Sequence, residues 1–245
     1  MLDSRELLLP TALCLAALGG ALGLAAQDSP EDLARRYRAY QALVREASAA
    51  IERAQYEAAV EACTKAIALS PFTASHYFYR GLARYRQGRH EEALGDFDRA
   101  LALDPRLASA YLYRGLCRVA RGEYGPALQD YTAALGLNQD DATAHNDLAW
   151  LYATASDGRF RDPAKALEHA RKAAQISKEK NAEILDTLAR ALFVGGRIQE
   201  ATETEKKALN LDPGNKTFKE NLRTYTTTAP AEVSRSQDGK GPRDE

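Results

Sequence analysis

Pro71 and Pro105 stand 34 residues apart (105 − 71), and the residues ahead of each repeat a small-residue ladder, Ala59 then Ala66 and Ala93 then Ala100. A beat of this length constrains the chain more than its composition does. It marks a repeat architecture whose units bury their apolar faces only against their neighbours, so the stack needs polar ends.

The unit Ala74 to Leu107 carries Tyr77, Gly81, Gly88, Ala93, Phe97, Ala100 and Pro105, and Ala108 to Asp141 repeats it with Tyr111, Gly115, Gly122, Tyr124, Ala127, Tyr131 and Ala134. In the second of these Gln139 replaces the proline. Upstream, Tyr40 to Thr73 is a diverged copy, with Ala47 at the glycine and Cys63 at the aromatic. Downstream, Ala182 to Asn215 returns to the register with Leu185, Leu188, Ala189, Leu192, Gly196, Ala201, Ala208 and Pro213. Between them, Ala149 and Ala166 are 17 residues apart where Gly81 and Ala93 are 12 apart, which places about five extra residues in the turn around Ser156 to Pro163.

These positions resemble the tetratricopeptide repeat family, whose 34-residue helix-turn-helix units stack into a superhelix. The resemblance implies an all-α, right-handed superhelical solenoid of about five repeats, 40–73, 74–107, 108–141, 142–181 with the turn insertion and 182–215, inside a domain spanning 40–225. The stretch Asn146 to Thr154, followed by Arg161 to Pro163, resembles a variant common in bacterial repeat proteins. Gly81, Ala93 and Ala100 fall where helices cross, and a larger side chain there would wedge the pair apart.

Residues 27–39 read as the start of an N-terminal capping helix, with Ser29 as N-cap and Pro30 at the first helical position. Residues 216–225 read as a closing helix, with Phe218 and Leu222 four apart, and 226–245 as a disordered tail poor in apolar residues. Residues 1–26 read as a signal peptide or membrane anchor. The run Leu7 to Ala26 is uncharged and mostly apolar, and Gly23 and Ala25 supply small residues for cleavage after Ala25, with cleavage after Ala26 the neighbouring option. The same 20 residues (7–26) are long enough to span a bilayer as an anchor. Cys14 follows Thr11, Ala12 and Leu13, which is not the setting of a lipidated cysteine. Either reading exports the repeats to a periplasmic, envelope or secreted location.

The chain's formal net charge is −1, with mixed signs throughout and no basic stripe that would favour nucleic acid or anionic lipid. Cys63 and Cys117 occupy inward helix positions in non-adjacent repeats and read as buried free thiols. None of His76, His90, His145 and His169 is followed by another His, Cys or acid three or four residues on, and no nucleophile or phosphate-loop motif is present. His145 and His169 belong to the two helices of one repeat and are the nearest approach to a metal or acid–base pair. No catalytic residue, metal site or cofactor is expected, and a metal-binding, small-ligand-binding or enzymatic role is a distant alternative.

Arg80 and Arg114 fill a usually apolar position, and each is matched sixteen residues later by an acid, Asp96 and Asp130. The pairing resembles a subtype in which an arginine on the first helix meets an aspartate on the second. A structural ion pair is favoured over anion capture, because an unpaired arginine there would bear a desolvation cost.

In the family, a concave groove is lined by set first-helix positions. Carried over, these give Phe78, Tyr79, Leu82 and Tyr85 in the second repeat, Leu112, Tyr113 and Leu116 in the third, and Asn146, Asp147 and Trp150 in the inserted one. Tyr79, Tyr113, Asn146, Asp147 and Trp150 are the residues expected to face a ligand. The carboxylate-clamping set of the chaperone-binding members is missing, since its positions hold Val44, Ser48, Tyr79, Ser109 and Tyr113. The resemblance therefore implies a non-enzymatic module that binds a protein or peptide through the groove, in the cell envelope. A structural spacer or assembly factor acting through repeat edges and tail is the alternative.

Overall fold

Each half-repeat keeps apolar residues three and four apart, and prolines fall in turns (Pro71, Pro105, Pro213) or in first helical turns (Pro126, Pro163), so nothing interrupts the helices these halves form. The computed structural model describes residues 30–228, which contain eleven α-helices and no strand among the described residues. In chain order these are α1 (Pro30–Glu52), α2 (Tyr56–Leu69), α3 (Ala74–Arg86), α4 (His90–Leu103), α5 (Ala108–Ala120), α6 (Tyr124–Leu137), α7 (Ala142–Thr154), α8 (Pro163–Ile176), α9 (Ala182–Val194), α10 (Ile198–Leu211) and α11 (Lys216–Thr228). The final helix runs three residues into the stretch read as tail, where Thr226, Thr227 and Thr228 return their hydroxyls to the carbonyls of Leu222, Arg223 and Thr224. The signal run, Ser29 and the remainder of the tail lie outside the described residues.

Two compact units result, one ending at Leu137 and the other beginning at Asn138. Within the first, successive helices from α1 to α6 pack on one another, and the first helices of its repeats, α1, α3 and α5, also touch in series. Within the second, α7 to α11 pack in the same successive fashion and α7 touches α9. Each unit thus presents one face built from first helices.

The crossings within repeats depend on absent side chains. A Cβ on Gly81 would lie 2.8 Å from Phe97 Cε1, and one on Gly115 would lie 2.5 Å from Tyr131 Cε1. Phe97 and Tyr131 are at most 1% exposed, so neither ring has room to retreat. The alanines Ala59, Ala93, Ala127, Ala166 and Ala201 are all fully buried on the second helices.

The turns inside the repeats follow a Schellman pattern. Gly88 and Gly122 take φ of +75° and +76°, and the next residues, Arg89 and Glu123, donate their N–H to the carbonyls of Arg84 and Arg118. Gly196, with Arg197 donating to Leu192, repeats the pattern in the second unit. In the diverged first repeat Ala54 holds this position at φ 56°, a conformation that costs a side chain energy that glycine avoids.

The inserted turn takes another course. After Thr154 the chain passes through a short 3-10 turn, Gly158–Phe160, and the Asp162 N–H then returns to the Tyr152 carbonyl at 3.0 Å. The Asp162 side chain caps α8 by accepting from Ala164 and Lys165, with Pro163 at the first helical position.

Cys63 and Cys117 are free and buried, and burial pushes their thiols up to about 11 and about 12, which makes them poor nucleophiles. Two substitutions test the backbone argument. Gly115→Ala is expected to destabilise the first unit by about 1–3 kcal/mol through overpacking on Tyr131, whereas Ala54→Gly is expected to stabilise by about 0.5–1 kcal/mol. Chemical denaturation of both variants beside the parent protein checks the two signs.

Candidate functional site

The buried charges identify what is scaffold. Asp96, 3% exposed, receives Arg80 through Nε (3.1 Å to each oxygen) and Nη2 (2.7 Å), and Arg84 through Nη1 (2.7 Å). Asp130, 2% exposed, is held the same way by Arg114 and Arg118, with shortest contacts of 2.6 and 2.7 Å. Each carboxylate therefore binds two guanidiniums from the facing helix. The sequence pairing found only the first of each, although Arg84 and Arg118 share the 34-residue spacing and lie one helical turn beyond Arg80 and Arg114. The remaining Nη1 of Arg80 reaches Thr64 of the preceding repeat (3.3 Å), and that of Arg114 reaches Asp98 (2.7 Å). These guanidiniums are committed within the protein.

In the first unit the predicted groove residues divide by depth. Phe78 and Leu112 are buried, at 9% and 7% exposure, and belong to the core rather than to an open face. Tyr113 is half-buried, with ring centroids 6.0 Å from Phe78, 5.6 Å from Tyr85 and 6.1 Å from Phe97. Tyr79 is half-buried against Ala47, Ala62 and Cys63 of the preceding repeat. Leu82, Tyr85 and Leu116 are half-buried as well. Aromatic packing between repeats occupies much of this surface, because a residue on a first helix must also fill the notch left by its neighbour.

The second unit is polar at the equivalent positions. Asn146 and Asp147 are half-buried on α7, and Trp150, one turn further along, is 40% exposed. Asn146 Oδ1 and Asp147 Oδ2 are buried yet accept no hydrogen bond within the protein. Burial pushes the Asp147 carboxyl up to about 7; a hydrogen bond with Asn146 pulls it down, and the charges of Asp141 and Glu183 add to the rise. Two desolvated acceptors beside an exposed indole leave a surface on which hydrogen-bond capacity is unspent.

His145 and His169 do meet, Nδ1 to Nδ1 at 2.9 Å. His145 Nε2 contacts the Gln139 carbonyl at 3.1 Å, so it carries the proton there, and His169 Nδ1–H donates to His145 Nδ1. The ring centroids are 5.2 Å apart, close to the widest separation that such an N–N contact permits, so the two nitrogens point at each other rather than at a shared metal position. Tyr152 stacks on His169 at 6.0 Å. Burial, then His145, lowers the His169 pKa and favours the neutral form of that ring. No cluster of three metal-ligating side chains occurs among the described residues.

Comparison with known proteins agrees with this picture of a scaffold. Residues 44–108 and 80–129 match the family model described as tetratricopeptide repeat, and the repeats in that stretch are of that family. Among solved structures it is similar to TTC0263, a thermophilic protein of the same repeat class from Thermus thermophilus, with 21% identity over 77% of this chain and 99% of that one and a TM-score of 0.61. MamA of Desulfovibrio magneticus RS-1 aligns at 19% identity over 73% and 97% of the two chains, with a TM-score of 0.59. YrrB, described as having an unusual peptide-binding site, aligns at 24% identity over 69% and 84%, with a TM-score of 0.55. No curated protein sequence matches the chain. Proteins of this fold typically serve as protein–protein interaction modules.

Removing a carboxylate from the scaffold tests its role. Asp130→Ala leaves Arg118, 21% exposed, without a counter-charge beside Arg114, 16% exposed, which keeps only Asp98. A loss of about 3 kcal/mol is expected, at the lower end for a broken buried pair because both guanidiniums reach solvent. A urea midpoint unchanged from the parent would contradict the ion-pair account.

Proposed function

We propose that the chain is a non-enzymatic interaction module that holds a peptide or protein partner on its first-helix faces, and that it works in the cell envelope. The observation that carries the reading is the pair of buried, unpartnered acceptors, Asn146 Oδ1 and Asp147 Oδ2, beside the exposed Trp150 on α7. Leaving such groups desolvated and unbonded is costly, and a partner's N–H groups relieve that cost at the moment of binding. Asp141 and Glu183 add negative potential there, so a segment offering backbone amides and a basic side chain fits better than an acidic one. Trp150 supplies the large apolar contact that anchors such a segment.

Family and neighbours support the class: these are binding scaffolds, and YrrB is one described with a peptide site. The envelope location rests on the sequence of the run Leu7 to Ala26. No helix among the described residues is long and apolar enough to cross a membrane. Tyr79 and Tyr113 give the first unit a contact patch of its own through the part of each ring not spent between repeats.

Capture from an envelope extract tests the reading with Trp150→Ala. Binding of the captured partner should weaken about tenfold or more, while the thermal midpoint stays at the parent value because the indole is 40% exposed. Undiminished capture by a folded Trp150→Ala, Asn146→Leu double variant would overturn it.

A further inference from the structure

The last repeat places a carboxyl where the two regular repeats place an aromatic. Glu205 sits at position 24 of the unit Ala182 to Asn215, the position filled by Phe97 and Tyr131 in the regular repeats, and it is 0% exposed. Four polar side chains surround it. From α9 come Asp186, 7% exposed, and Arg190; from α11 come Asn221, 8% exposed, and Tyr225, fully buried. Asn221 joins the two helices, donating Nδ2–H to Asp186 Oδ1 at 2.7 Å and accepting from Arg190 Nη2 at 2.7 Å. Tyr225 stacks on Phe193 at 4.6 Å, and the Arg190 guanidinium lies over the Tyr225 ring at 5.7 Å. Both Glu205 oxygens, Tyr225 OH and Arg190 Nε are buried with no bond that heavy-atom geometry assigns.

A charge count decides the protonation state. Two carboxyls face one cation, Arg190, and no other basic group contributes to the balance at Glu205. The cluster is neutral with one proton on the carboxyl pair and carries a net negative charge without it. Desolvating that extra charge beneath α11 is unfavourable. With the proton in place, Glu205 donates to Asp186, whose other partner is Asn221 of the closing helix.

We infer that α11 is latched to the last repeat by a proton shared between Glu205 and Asp186, and that losing this proton loosens the closing helix while the rest of the chain stays folded. The sign follows from linkage. Burial first, and then Asp186, pushes the Glu205 carboxyl up to about 8, above its value of 4.5 in an unfolded chain. The latched state therefore binds the extra proton, its stability is complete below the unfolded value, and it is lost as the pH rises towards about 8, beyond which it levels off. Phe218, buried against Leu185 and Ala208, remains the apolar attachment when the polar one fails.

Amide hydrogen exchange on the full chain between pH 5 and 9, corrected for intrinsic rates, reads the latch directly. Protection of residues 216–228 should fall by up to about tenfold per pH unit within the window and then level off, while α3 to α6 show no matching change. Glu205→Gln should abolish the slope with protection retained, because its amide donates to Asp186 at every pH. Should that variant fail to fold, Asp186→Asn replaces it and should flatten the profile in the same way. A parent profile already flat in α11, or one that both variants leave unaltered, would overturn the latch.

Discussion

The near-contact of paired helices at a missing side chain governs most of what this structure does. Gly81 lies against Phe97 and Gly115 against Tyr131, and in both cases the residue one place earlier on each helix completes the ion pair, Arg80 with Asp96 and Arg114 with Asp130. Apolar crossing and charge pairing are thus adjacent parts of one joint. The glycine sets the separation, the ring fills it, and the separation lets a guanidinium lie flat on a carboxylate. Where the glycine becomes Ala189 and the ring becomes Glu205, the arginine–aspartate pair is gone too, and a different polar arrangement holds the end of the chain.

The period made much of this legible. It identifies equivalent residues, and equivalence carries information wherever the backbone alone decides: the left-handed turn at Gly88 and Gly122, the buried alanines, and the sixteen-residue spacing of arginine to aspartate. It was mute where a long side chain chooses its own direction. Arg84 reaches Asp96 from one turn beyond Arg80, and the ring of Tyr113 turns into the preceding repeat. The predicted groove positions Phe78 and Leu112 were drawn inside because the space between helices takes apolar bulk before a surface does. Glu205 was available to the same count, as the one residue at that position that is neither aromatic nor small.

The two units spend polarity differently. In the first, buried acids are over-supplied with donors, two arginines to each carboxylate. In the second, acceptors outnumber donors, at Asn146 and Asp147 and again at Glu205. The first pattern stiffens a joint and leaves nothing for a ligand to satisfy. The second leaves capacity that a partner or a proton completes.

The hydrogen bond from Asp162 N–H to the Tyr152 carbonyl joins the two ends of the inserted turn at its base. Once the neck of a loop is pinned, the residues beyond it no longer set the spacing of the helices on either side. Ser156 to Arg161 can therefore vary in length and chemistry without retuning the alignment of α7 and α8. Insertion at this neck lets the repeat acquire a distinguishing feature while its stacking rules stay intact, which makes the loop the part of the chain most open to specialisation.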